Sequence, residues 1–479
     1  MALSAFWAAR GAKAPRSTLV LAAAVGVMAA ALLVGHPLGL GAALVGMLIW
    51  VPALPGLVRR RAVGDMATAA LSVALLAVVA VSDAAWVVAL CVGAAAVAGA
   101  VAATSARSAP AVVLSGVSWF AGALRAFPWL GRGMGDVMGP RRGQALIALR
   151  SVAVTAVLLV VFGVLFASAD PVFASYLPQV DLDRLPGQLV VGTAVALTAA
   201  TLAHLALAPP GWSALRLPTA PATRRGEWLL PVIALDVMVV GFVLVQIGGL
   251  LGGHRHVLET AGLTYAEYAR TGFAQLVAVT ALTLLVVALA ARRAPRSSAR
   301  DRGVSRAALG VLCLGTLGVV ASALRRMDLY MEAFGLTRLR LFVVVVEVVL
   351  AVLLLLVMAA GVRWRGGWLP RAVVHVVAVA MLGLAVVNPD ALIARHNTTP
   401  GLEIPLDLAY LRGLSADAVP ALDGLDEPLR SCVLEWVVVD APGGLTDWNL
   451  ARDRAARALA SGLPVEVVGS GCAAVQVDR

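Results

Sequence analysis

Few residues in this chain have the means to do chemistry, and they are scattered. His254 and His256 flank one arginine, and i, i+2 spacing cannot put both imidazoles on one helix face. No HExxH pairs a base with two ligands, so no metal site is expected. No glycine pattern of the phosphate-binding or dinucleotide kind follows a strand-like run, so no cofactor is expected either. Asp181 and Asp183 form a local carboxylate pair, and Asp236 and Glu347 lie inside long apolar runs. An acid in such a run must face protein or water, as it would in a proton-coupled transporter or around one buried hydrogen bond. Arginines and acids crowd RRMDLYMEAFGLTRLR, Arg325–Arg340, between two further apolar runs. No catalytic residue can be assigned from these patterns.

The elements that hold these residues follow from composition. Of 479 residues, 61% are hydrophobic and 14% charged, too apolar for a soluble domain. A span needs about 20 apolar residues. Runs occur near 17–35, 38–58, 66–82, 84–104, 147–168, 187–208, 228–252, 271–291, 307–324, 341–362 and 372–387. The expected fold is therefore all-α: a polytopic transmembrane bundle of about eleven spans. The run at 17–35 follows Arg10, Lys13 and Arg16 and reads as an uncleaved anchor. With the N-terminus cytoplasmic, inner segments carry 24 of the 38 basic residues, outer loops 7 and the tail 7. Cytoplasmic loops retain arginine, so this orientation is the expected one, with the C-terminus extracytoplasmic. The same bias explains a pI near 10.6 without nucleic acid.

Three domains are expected: 1–145, 146–387 and 388–479. In the first, Val113, Val117, Phe120 and Leu124 recur at helical spacing between polar residues, predicting a helix lying in the cytoplasmic interface. The third turns polar and acidic, with patterns of short amphipathic helices, and reads as a small, mostly helical extracytoplasmic domain. Cys432 and Cys472 are its only cysteines, the pair available for a disulfide in an oxidising compartment.

Two outer loops share a pattern. HRHVLETAGLTYAEYARTGF and MDLYMEAFGLTRLRLF align on Gly-Leu-Thr, matching Gly262 with Gly335, Thr264 with Thr337 and Glu259 with Glu332. A left-handed glycine would end one helix, and threonine would cap the next. Arg325, Asp328 and Glu332 fall on one helix face, Arg326 and Tyr330 on another. Arginines on the outer side are then explained by ion pairs within a folded polar layer, the alternative being solvated helix ends. Glu259, Arg326, Glu332, Arg338 and Asp390 are expected to converge. In NPDALIARHN, Asn388 caps, Pro389 takes the first helical position, and Asp390 lies in the first turn.

TYAEYARTGF, RRMDLYMEAFGLTRLRLF and NPDALIARHN together resemble the bacterial multi-pass membrane family catalogued as domain of unknown function 4173, a neighbour of the one numbered 4153. The resemblance covers roughly Arg224 to Leu422. It implies an integral membrane protein without assigned catalytic residues, and hallmark positions at Tyr265, Tyr268, Arg270, Arg326, Tyr330, Thr337, Arg338, Asn388, Pro389, Asp390 and Asn397. Without Pro389, and with Glu259, Glu267, Arg325, Asp328, Glu332, Arg340 and Arg395, these make up the candidate extracytoplasmic polar site. The expected function is a non-catalytic sensor, regulator or scaffold in the lipid bilayer, binding a membrane or extracytoplasmic protein partner or a ligand. The alternatives are a proton-coupled transporter using Asp236 and Glu347, or an enzyme on a lipid-linked substrate. Against the enzyme, the first outer loop, His36-Pro37-Leu38-Gly39, lacks the acid a lipid-linked glycosyltransferase would place there.

Overall fold

In the computed structural model, the described residues are 12–138, 182–214, 225–251, 273–294, 298–399, 406–435, 437, 439 and 443–460, with scattered helical positions between 147 and 169. Among them no strand occurs, and eleven helices are long and apolar enough to cross a membrane. The chain is an all-α, multi-pass membrane protein.

Helix α1 (Arg16–Leu33) is followed by α2 (Leu40–Leu48). Pro52 and Pro55 deny the next turn its backbone donors, so the chain passes through a 3-10 turn into α3 (Leu54–Arg60). Then come α4 (Val63–Ala77), α5 (Ala85–Thr104), α6 (Ala109–Met138) and α7 (Leu185–Leu207). Helices α8 (Arg225–Leu251), α9 (Phe273–Arg293), α10 (Ala299–Phe334), α11 (Arg338–Arg363) and α12 (Leu369–Val387) complete the long elements. Five short ones follow: α13 (Pro389–Thr398), α14 (Leu408–Arg412), α15 (Val419–Leu422), α16 (Leu429–Leu434) and α17 (Leu450–Ala460).

Lipid tails are as apolar as leucine, so these helices associate through close packing rather than hydrophobic burial. Between α1 and α7 the contact is backbone to backbone: a Cβ on Gly26 would lie 2.6 Å from the Gly192 carbonyl oxygen. Trp228, Val232, Val239, Leu312 and Leu354 form a second core among α8, α10 and α11.

The ends of the bundle differ. At one, Asp65 is fully buried, and Arg371 donates from Nη2 to its Oδ1 at 2.6 Å. Arg60 lies 3.8 Å from the same carboxylate and donates to the carbonyls of Ala103, Leu205 and Ala206, which close α5 and α7. This is the arginine-rich end.

Helix α6 packs against that end. The segment 109–136 meets the length and hydropathy of a span, although the sequence counted 147–168 instead. Four of its contacts nevertheless gather near that end. Trp212, just past α7, donates to Ser118 Oγ at 2.8 Å; Gly122 meets Leu205; the Trp129 ring lies 5.0 Å from His204; and Asp136 pairs with Lys13 at 2.8 Å. These partners lie at or just beyond the arginine-rich ends of α1 and α7, while Trp119 reaches further, donating from Nε1 to Ala96 O of α5 at 3.1 Å. Val113, Val117, Phe120, Leu124 and Phe127 form an exposed stripe along it.

At the other end the short helices close into a cap. Leu336, Ile393, Leu411, Val419, Leu422, Val433 and Ala455 are buried in its shared core.

Candidate functional site

Helix α10 has 36 residues and is about 54 Å long, well beyond a hydrocarbon core of about 30 Å. Its last turns, which carry the Arg325–Phe334 stretch, therefore project into the polar layer. The helix stops at Gly335, with φ 70° and ψ 176°. That is a glycine conformation, but not the left-handed helical one expected. A Cβ there would meet Asn397 Oδ1 at 2.7 Å. Asn397 holds the turn from outside, accepting from Leu336 N at 2.7 Å and donating to Leu336 O at 2.9 Å. Thr337 then caps α11 by accepting from the Arg340 amide. The Arg340 guanidinium stacks 4.2 Å from the Tyr330 ring centroid and donates to Phe334 O.

The next turn of chemistry centres on Asp390. Asn388, at φ 54°, caps α13 through the Ala391 amide, which brings Asp390 into its first turn, fully buried. Arg338 grips the carboxylate with two prongs, Nε to Oδ1 at 3.0 Å and Nη2 to Oδ2 at 2.6 Å. Trp86 Nε1 donates to Oδ1 at 3.1 Å and the Ser415 amide to Oδ2 at 2.9 Å. Burial alone would push the Asp390 carboxyl up; the guanidinium and the Ser415 amide outweigh it and hold it below the ordinary aspartate range. Arg338 also donates to Gly413 O at 3.0 Å, and its amide to Tyr410 Oη at 2.8 Å. One ion pair thereby ties α11 and α13 to α5 and the cap.

A second carboxylate docks the cap onto the loop between α4 and α5. Asp417 Oδ2 accepts from the Asp83 amide at 2.7 Å, the Ala84 amide at 2.9 Å, Ser82 Oγ and Ser415 Oγ. It caps α5 in trans, since Ala84 at the N-cap has no side chain to do so. Burial is the largest influence on this carboxyl and leaves it raised. Asn449 donates to Val79 O and Ser82 O, Arg452 to Asp83 Oδ1 and Leu38 O, and Asp447 meets His36 Nδ1 at 2.8 Å.

Between bundle and cap lies a cavity of 600 Å³, lined by Ser82, Asn388, Arg395, Asp417 and Arg454 among others. Arg395 and Arg454 are exposed, and both line it.

The residues expected to converge separate on inspection. Arg338 and Asp390 meet. Arg326 instead donates to Gln246 Oε1 of α8 at 3.0 Å, and Glu332 is exposed. Arg325 and Asp328 pair at 2.8 Å, both half-exposed, one turn apart on the same helix. Glu259, Tyr265, Glu267, Tyr268, Arg270 and Cys472 lie outside the described residues, as does Asp181. Cys432 is buried and disulfide-bonded, whereas Cys91 and Cys313 are free. Sequence reasoning missed Trp86, Ser415, Asp417, Asn449 and Arg452. No local signal marks them, because each acts on an element distant in sequence.

A family model described as Domain of unknown function (DUF4153) matches residues 70–425. The chain belongs to this family. The match falls on the neighbour of the family that the loop motifs resembled, and it begins within α4, well before Arg224. No curated protein and no solved structure matches the chain. The DUF4153 region holds every member of the Asp390 cluster and Asp417 with its donors, but stops short of Asp447, Asn449 and Arg452.

Proposed function

We propose that this membrane protein is a non-catalytic receptor or scaffold whose capped end faces away from the cytoplasm and receives an anionic group in the cavity beneath the cap. The cavity carries the reading. Two exposed guanidiniums, Arg395 and Arg454, line it, and its one carboxylate, Asp417, already accepts four hydrogen bonds. Asp390 likewise accepts four. A carboxylate has about four lone-pair sites, two on each oxygen. Asp390 has both oxygens filled and serves as a fixed acceptor, while the bonds to Asp417 all fall on Oδ2 and anchor that acid beside the two guanidiniums. The arginine bias supports the sidedness, as does the disulfide at Cys432, which needs an oxidising compartment.

The test uses full-length protein in detergent and its thermal shift with a panel of small dicarboxylates and phosphate esters. At least one anion is expected to raise Tm, and Arg395→Gln with Arg454→Gln to abolish the rise. A panel without effect, or a rise indifferent to both substitutions, sinks the reading.

A second reading rests on a separate observation. Oδ1 of Asp236 and both carboxyl oxygens of Glu347 are buried without a hydrogen-bond partner. Acids so placed suit proton-coupled transport. Asp236→Asn and Glu347→Gln in proteoliposomes would then abolish proton-driven flux, and a protein that shows no such flux removes this alternative.

A further inference from the structure

Opposite the cap, at the arginine-rich end, α9, α10 and α11 enclose a cavity of 470 Å³, within the roughly 300–1,000 Å³ typical of small-molecule sites. Its depth is apolar, with Leu284, Val287, Leu309 and Met358 on the walls, and its mouth carries Arg292, Ser305 and Arg306.

Ser305 sets this cavity apart. Hydroxyls inside long helices usually satisfy themselves on the carbonyl one turn back, as Thr104, Thr201, Thr280 and Thr316 all do here. Ser305 is fully buried, yet its Oγ has no partner. A buried hydroxyl left unpaired costs about 1–3 kcal/mol, a cost removed if an acceptor arrives from the cavity. Arg306, on the next residue, is exposed at the same mouth. The segment from Arg292 to Arg306 carries six arginines against one acid, Asp301, which is engaged in the Ser298 capping box. Glycines keep the interior open: a Cβ on Gly310 or Gly361 would meet nothing within 4 Å.

We propose that this cavity is an anionic-phospholipid site, taking one acyl chain into its apolar depth and the headgroup phosphate at the mouth against Ser305 and Arg306. A zwitterionic lipid would fill the depth and offer a phosphate, but would bring its quaternary ammonium against the cationic mouth of Arg292 and Arg306. Free phosphate would match the mouth and leave the depth empty. Basic pockets between spans on the cytoplasmic side are suited to such headgroups, and the sidedness proposed above puts this one there. The site itself stands on its own lining, independent of the cavity under the cap.

The experiment measures lipid binding to full-length protein in detergent by native mass spectrometry, with phosphatidylglycerol, phosphatidylcholine and inorganic phosphate as separate arms. Phosphatidylglycerol should bind with about one lipid retained per chain, and Ser305→Ala combined with Arg306→Gln should weaken it about tenfold. Gly310→Leu, which fills open space and improves helix propensity, should abolish retention; Gly361→Leu serves if that variant does not fold. Equal retention of phosphatidylcholine overturns the proposal, as does equal binding of phosphate alone or phosphatidylglycerol retention unchanged by both glycine variants. Because none of these substitutions touches Arg395 or Arg454, the anion test at the cap fails or succeeds separately.

Discussion

Asp390 illustrates what a carboxylate needs in order to leave water. It is fully buried, and its tolerance of that burial depends on the two-pronged grip of Arg338 together with Trp86 and Ser415. Removing one member of a buried pair leaves the other uncompensated, at about 3–5 kcal/mol. Arg338→Ala should therefore destabilise the cap strongly, by about 3 kcal/mol given its partial exposure, and Asp390→Asn in the same chain should restore part of the loss. Denaturant unfolding of the two variants checks this; equal stability of Arg338→Ala and the parent contradicts the latch. The pH dependence has a definite sign. Asp390 titrates below its ordinary value, so its contribution is present above that value and fades as pH falls through the native one. Asp417 is raised, so its contribution is present in acid and fades as pH rises through its native value. Asp417→Asn should remove the second dependence and leave the first, readable as cap stability against pH.

At the scale of elements, the long helices were legible because apolar length alone marks a span, and the Gly335–Thr337 turn because helix ends have a local chemistry. The polar layer was legible only in part. Arg338 and Asp390 lie 52 positions apart, and no spacing rule links them. Arg326 was grouped with the acids by proximity in sequence, but the helical repeat turns it toward Gln246 of α8. Helix α6 shows both sides of the matter. Its stripe was visible at the spacing of Val113, Val117, Phe120 and Leu124, whereas hydropathy alone also admits it as a span. Its contacts with Lys13, His204 and Trp212 place it against the bundle end, with Phe120 79% exposed. In a membrane such a face belongs against acyl chains. A nitroxide on Phe120→Cys should be relaxed more by oxygen than by a water-soluble nickel chelate. The reverse order would leave the stripe facing water and remove the interfacial reading.

For the whole molecule, the two ends are built on opposite electrostatic plans. One sets Arg60 and Arg371 around the buried Asp65 and leaves Arg59, Arg61, Arg107, Arg306, Arg363 and Arg365 exposed. The other pairs three of its arginines within the fold, Arg338 on Asp390, Arg452 on Asp83 and Arg430 on Asp423, and keeps Arg395 and Arg454 exposed at the cavity. This asymmetry is what the positive-inside bias requires, since arginines locked in ion pairs do not hold a loop in the cytoplasm as free ones do. It gives a direct prediction of sidedness. With Glu427→Cys on the cap and Arg107→Cys at the other end, a membrane-impermeant maleimide applied to intact cells should label the first and spare the second until the membrane is broken. The native free thiols Cys91 and Cys313 are buried and stay silent. Labelling in the opposite order would turn the protein over, placing the cavity under the cap in the cytoplasm and the basic lipid site on the outer leaflet.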